Sequence, residues 1–92
     1  MKSILSYQIR ASDFDLPKLI DFYSICSKSG QRLFLYHNES VCQIHRMTEL
    51  ILFVLTADQD ELLLIIEGEK APIIMGRLIE CIYGSREQVS PA

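Results

Sequence analysis

The sequence has little of several features that would define a function class. Its 92 residues include no tryptophan, four glycines and three prolines. The three cysteines, Cys26, Cys42 and Cys81, are odd in number, widely spaced and set among apolar residues. This argues against a disulfide framework or a paired-cysteine zinc site, and we expect reduced core thiols. The nine basic residues form no run and the formal charge is −3, so nucleic-acid binding is not expected.

Long apolar segments are also missing. The densest one, residues 50–55, is much shorter than the roughly 20 residues that a membrane-spanning helix needs. The first ten residues, MKSILSYQIR, lack the apolar centre of a signal peptide. We therefore expect a cytoplasmic protein that neither enters a membrane nor is exported.

The composition that is present suits one folded domain. Hydrophobic residues make up 49% of the chain and charged residues 23%, which provides a core and a soluble surface. A chain of this length forms one core rather than two. We predict a single domain over residues 1–84 and a flexible tail over 85–92.

Residue patterns predict seven elements in the order βαββαβα. Apolar residues alternate at Leu5, Tyr7 and Ile9, which is typical of a half-buried strand. Helical spacing over 16–28 ends before Gly30. Residues 32–36 and 41–44 predict a hairpin around a turn at 37–40, followed by a short helix over 47–53.

The last two elements are a strand and a helix. The apolar run at 61–67 predicts a buried central strand, and the final helix has Pro72 in its first turn and Gly84 at its end. The expected architecture is α+β, an open-faced sandwich of a four-stranded antiparallel sheet with three helices on one face.

This element order and two local stretches resemble the HPr family, the phosphocarrier of the bacterial sugar phosphotransferase system. The stretch from Arg46-Met47-Thr48-Glu49-Leu50 to Leu55-Thr56 is similar to that family's second helix. The stretch Ile66-Glu67-Gly68-Glu69 is similar to its strand-to-helix turn. The resemblance covers roughly residues 2–83.

The residues that carry the family's chemistry are replaced in this chain. The family's phosphorylated histidine lies in a Leu-His-x-Arg-Pro segment, and the matching segment here is Phe14-Asp15-Leu16-Pro17-Lys18. Asp15 stands at the histidine position and Pro17 at the arginine position. Arg46 stands at the position of the family's regulatory serine. The resemblance therefore implies no catalytic residue, no cofactor and no metal.

The resemblance also implies a surface for a protein partner. The matching positions are apolar or polar residues at the first and second helices: Phe14, Asp15, Leu16, Met47, Thr48 and Ile51. Met47 and Ile51 fit core packing equally well, because they lie about one helical turn apart.

Several residues permit two interpretations. Asp15 suits an N-cap, and it also suits a fixed charge that imitates phosphohistidine at a helix start. An aspartyl phosphate at Asp13 or Asp15 would need further acids and a metal. His37 and His45 are expected to be solvated. Cys42 and Cys81 would be redox-active only if they were exposed and activated by His45 or Arg77.

The sequence thus predicts a non-enzymatic regulator or adaptor that binds a phosphotransferase-system enzyme or a regulatory protein. HPr-like regulators that lack the histidine are the family precedent. One alternative is a phosphotransfer protein phosphorylated on Asp15 or Thr48. Another is a ferredoxin-like module for a small ligand or a subunit, which strand order would separate from HPr. The pattern leaves the oligomeric state open.

Overall fold

The helices and strands were assigned in a computed structural model that describes residues 2–84. In chain order they are β1 (Ser3–Arg10), α1 (Leu16–Ser29), β2 (Arg32–His37), β3 (Ser40–Gln43), α2 (Met47–Ala57), β4 (Glu61–Gly68) and α3 (Ala71–Tyr83). A 3-10 turn at Ala11–Asp13 joins β1 to α1. The tail predicted for 85–92 lies outside the described residues.

The four strands form one antiparallel sheet in the order β1-β4-β2-β3. The last strand in the sequence therefore lies in the interior of the sheet. Leu62 of β4 is opposite Ile9 of β1, and Leu64 is opposite Leu35 of β2. The predicted α+β class, with an open four-stranded antiparallel sheet and three helices, is confirmed.

The core lies between one face of the sheet and the helices. Residues of β1, β2 and β4 point into it and are almost fully buried: Ile9, Leu33, Leu35, Leu62, Leu64 and Ile66. The helices contribute the facing residues Leu19, Phe22, Cys26, Leu50, Val54, Ile74, Met75, Leu78 and Ile82. Within residues 2–84 no polar or charged residue is buried. The hydrophobic effect therefore provides most of the stabilisation of this layer.

The second helix is longer than the sequence predicted. It continues past Phe53 to Ala57, because the hydroxyl of Thr56 donates to the carbonyl of Leu52 at 2.8 Å and so remains inside the helix. Asp58 follows the last helical residue and has a φ of +59°. The prediction of an end at Phe53 was wrong, because Thr56 was interpreted as part of a polar break.

The hairpin turn is shorter than predicted. His37 and Ser40 pair with each other as strand residues, so the turn consists of Asn38 and Glu39. Asn38 has a φ of +56°, a left-handed conformation that asparagine tolerates better than most residues. The predicted end of α1 is nearly correct, since the helix ends at Ser29 and Gly30 follows at φ +74°.

Candidate functional site

The start of α1 is built around Asp15. Its backbone is extended, and its Oδ1 accepts a hydrogen bond of 2.8 Å from the backbone N–H of Lys18. This satisfies one of the free amides of the first turn, and Pro17 occupies a position in that turn where no N–H is needed. The N-cap predicted for Asp15 is confirmed.

Phe14 fixes the segment before the cap. Its ring packs edge-on against Phe22 of α1, with the ring centroids 5.1 Å apart and the planes at 82°. Phe22 is completely buried, so Phe14 is attached to the core while part of its surface stays accessible. The preceding 3-10 turn is held by the N–H of Ala11, which donates to the carbonyl of Asp60 at 3.0 Å.

A groove of about 380 Å³ lies between this segment and α2. Phe14, Asp15 and Leu16 line one side, and Ile51 and Leu55 line the other. Leu16 is 57% exposed and Leu55 is 65% exposed. Four of the six residues predicted to bind a partner are therefore brought together around one apolar groove.

The other two predicted residues lie outside the groove lining. Met47 and Thr48 occupy the first turn of α2, where Met47 is half-buried and Thr48 is exposed. Ile51, one turn further along, packs against the core and also contributes to the groove. The core-packing interpretation of Ile51 is confirmed, and its role in partner binding stays a prediction. Leu55 was missed because the second helix was predicted to end before it.

Arg46 immediately precedes α2, and its side chain makes no capping hydrogen bond. It is exposed, and its backbone carbonyl accepts from the N–H of Leu50 at 3.1 Å. The first turn of α2 contains Glu49, whose charge suits the helix start better than that of Arg46. Arg46 is therefore an exposed positive charge at the start of α2.

The prediction of two solvated histidines is wrong for His37. The side chain of His37 is only 14% exposed, and its Nε2 lies 2.9 Å from Oδ2 of Asp60. Its ring is edge-on to that of Phe53, with centroids 6.4 Å apart. The alternation of side chains along β2 could have revealed this. His37 follows Leu33 and Leu35 at every second position, and these positions point inward.

His45 is exposed, as predicted. Its carbonyl accepts a hydrogen bond of 2.8 Å from the Tyr23 hydroxyl, which connects α1 to the segment before α2. Both histidines line a second groove of about 670 Å³ between β3 and α2, together with Cys42 and Glu49. Within residues 2–84 no group of three or more His, Cys, Asp or Glu side chains is placed to hold a metal ion.

The three cysteines are free thiols. Burial, with a smaller contribution from Cys81, raises the pKa of Cys26 to about 12. Desolvation also raises the pKa of Cys42 and of Cys81, and the nearby carboxylates of Glu49 and Asp21 respectively act in the same direction. The prediction of buried thiols is correct for Cys26 and wrong for the other two, which are half-buried.

The raised pKa values keep these thiols protonated at neutral pH, so they are weak nucleophiles. Cys42 shares a groove with His45, and Cys81 shares another with Arg77. The activating groups suggested by the sequence are thus close by. Activation would require a lowered thiol pKa, however, and the pKa values of Cys42 and Cys81 are raised.

The fold and the groove together define a small α+β domain with an apolar surface groove beside a capped helix start.

The chain is 32% identical over 71 residues to the uncharacterized protein YwjC of Bacillus subtilis (strain 168), and the alignment covers 77% of this chain and 79% of that protein. The chain belongs to the same family as YwjC. No family model matches the sequence, and no solved structure matches it.

The helices of residues 2–84 are all too short or too polar to cross a membrane.

Proposed function

We propose that this chain is an HPr-like adaptor that binds a protein partner through the groove between α1 and α2 and carries no phosphoryl group. The exposure of Leu16 and Leu55 on opposite sides of that groove carries the proposal. Covering each of these leucines would contribute on the order of 1 kcal/mol to association. Exposed leucines on the two sides of one groove are a better basis for a partner site than scattered ones.

The strand order supports an HPr-like fold over a ferredoxin-like one. In the observed order β1-β4-β2-β3 the last strand lies between the first and the second, as it does in an HPr-like sheet. A ferredoxin-like sheet has the third strand in that place. Together with the element order, this favours the phosphotransferase system as the setting of the partner.

The groove has a charge that restricts the partner. Asp15 and Asp58 both line it, and both side chains are exposed. We expect a partner surface with apolar side chains bordered by Lys or Arg, because opposite charges at the rim favour correct orientation and faster encounter. An enzyme or a regulator of the phosphotransferase system is the proposed partner.

The same residues argue against phosphotransfer. A carrier needs an imidazole nitrogen as nucleophile and a guanidinium to balance the phosphate. At the matching positions are Asp15, which already accepts from the Lys18 amide, and Pro17, which has no charge.

The first test is the intact mass of the protein after incubation with phosphoenolpyruvate and enzyme I, with authentic HPr as the positive control. We expect no gain in mass. A gain of one phosphoryl group would overturn the adaptor proposal and favour a true carrier. The variants D15N and T48V would then locate the phosphate, since one of them should abolish the gain.

The second test measures binding to immobilised enzyme I and to regulators that bind HPr. We expect Leu16→Lys and Leu55→Lys each to weaken binding roughly tenfold. The matched control is Ile73→Lys on α3, where the isoleucine is 64% exposed and lies outside the groove lining. An equal loss in I73K, or no binding to any of these proteins, would contradict the proposal.

A further inference from the structure

The outer face of β4 and of its neighbour β2, opposite the helices, is apolar along its middle, where an open antiparallel sheet is usually polar. The five residues Leu62–Ile66 of β4 are all Leu or Ile. A continuous run of this kind is typical of strands covered on both faces, whereas a half-exposed antiparallel strand alternates apolar and polar residues. The helices cover Leu62, Leu64 and Ile66, which leaves the remaining two residues on the open face.

Neighbouring strands extend this apolar surface. Ile65 is opposite Phe34 of β2, and Leu63 is opposite Tyr36, which in turn is opposite Val41 of β3. We call these five residues the outer sheet patch. Val41 is 53% exposed, Tyr36 42% and Leu63 37%, while Phe34 and Ile65 are half-buried by their neighbours.

The charges of this face lie at its two ends. At one end the guanidinium of Arg32 is 3.7 Å from the carboxylate of Glu67. At the other end Arg10 is opposite Glu61, whose Oε1 accepts from Nε2 of Gln8 at 2.7 Å. Each end thus has one positive and one negative side chain, with the outer sheet patch between them.

We propose that the outer sheet patch is the interface of a symmetric dimer, in which a second copy of this chain covers the patch face to face. Two such sheets would pack about 10 Å apart with their strands roughly aligned, as in a β-sandwich. When the two-fold axis lies between the sheets and runs parallel to the strands, midway between β4 and β2, each of these two strands faces the other one in the second copy. Arg32 of one copy then lies over Glu67 of the other, and Phe34 lies over Ile65. The charges at this end of the face are then complementary.

The size of the face suits a second copy. Four strands of these lengths cover a projected area of about 400 Å². This area is that of the whole face, with the polar Ser6 and Gln8 of β1 included. Side chains that project from the face add accessible surface, so covering all of it comes close to the roughly 600 Å² per partner found at the lower end of specific interfaces. The tail is a poorer occupant, because residues 85–92 contain Val89 as their only large apolar side chain.

Sedimentation equilibrium of the full chain over about 5 to 300 µM tests the proposal. We expect a dimer in the wild-type protein. Val41→Lys should give a monomer, because it places an unpaired charge against the second copy. The double variant L63T/I65T should do the same while keeping strand-compatible side chains, which guards against a variant that fails to fold.

The control is Ile73→Lys, an equally drastic change on a helix away from the sheet face, which should leave the dimer intact. Circular dichroism of each variant verifies that the fold is retained. A wild-type chain that remains monomeric over the whole range would overturn the proposal. A dimer that persists in both sheet-face variants would overturn it too, because the interface would then lie elsewhere.

Discussion

The inner and outer faces of β4 have similar side chains in different surroundings. Leu64 is completely buried under the helices, and Ile65, the next residue, lies on the open face and is half-buried. Hydropathy therefore does not tell which face of the strand the helices cover. What distinguishes the two faces is that the helices of residues 2–84 pack against the inner one. The apolar composition of the outer face is the observation on which the proposed dimer rests.

Truncating the inner face gives the largest expected effect. Leu64→Ala should lower the free energy of unfolding by about 3 kcal/mol, because it removes buried methyl groups and leaves a cavity that a packed core refills only in part. Urea denaturation monitored by circular dichroism measures the change. A loss below about 1 kcal/mol would show that the two faces of β4 differ less than their burial indicates.

The buried thiol should make the helix layer sensitive to alkali. The pKa of Cys26 is raised from 9.0 to about 12 in the folded chain. In the unfolded chain the thiol has its ordinary pKa of 9.0. Between pH 9.0 and about 12 the unfolded chain therefore binds fewer protons than the folded chain, so the free energy of unfolding falls as pH rises. The stability that depends on the protonated Cys26 thiol is fully present below pH 9.0. By pH 10.5 the free energy of unfolding should have fallen by about 2 kcal/mol.

Urea midpoints at pH 8, 9.5 and 10.5 measure this loss. Cys26→Ala should have a flatter dependence on pH than the wild-type protein, even though its stability at pH 8 is lower. Tyr83 adds a slope of the same sign, since burial and the nearby Asp13 raise its pKa from 10.0 to about 12. A C26A variant with an unchanged slope would show that the slope has another source.

Removing the helix cap should have an intermediate effect. Asp15→Ala should cost about 1 kcal/mol, because the Lys18 amide loses its acceptor, whereas Asp15→Asn should cost much less. Thermal or urea unfolding of the two variants measures the difference. Equal losses in both variants would show that the charge of Asp15 matters more than its hydrogen bond.

A mild substitution on the outer face should have the smallest effect on the isolated chain. Val41→Thr, at the edge of the sheet, is expected to change the stability of the monomer by no more than about 0.5 kcal/mol. Unfolding followed at the lowest measurable protein concentration avoids a contribution from association. If the loss approached that of L64A, the outer sheet patch would belong to the core of the monomer.

The sequence was enough to predict the order and type of every main element, because the apolar period changes clearly between strands and helices. It did not predict how far α2 extends, since Thr56 can either end a helix or bond back to Leu52. Because the predicted helix ended before Leu55, this residue was not included in the predicted surface, although Ile51 on the same side of the groove was. The cap at Asp15 was predictable because it depends on residues three positions apart.

Contacts between distant segments were not predictable in the same way. His37 and Asp60 are 23 residues apart and meet only because β4 inserts beside β2. The outer sheet patch depends on the same strand order, which aligns Ile65 with Phe34. Local patterns indicate which residues are apolar, and topology decides which of them become neighbours.

The interior position of β4 also determines when this protein can fold during synthesis. Strand β1 is made first, but its neighbour in the sheet is β4, whose residues 61–68 emerge from the ribosome much later. Until then β1 and the β2–β3 hairpin have no strand to join them. A nascent chain that ends before β4 cannot close the sheet, and its apolar strands stay available to chaperones. We therefore expect the sheet of this domain to close late in translation, after β4 has left the ribosome.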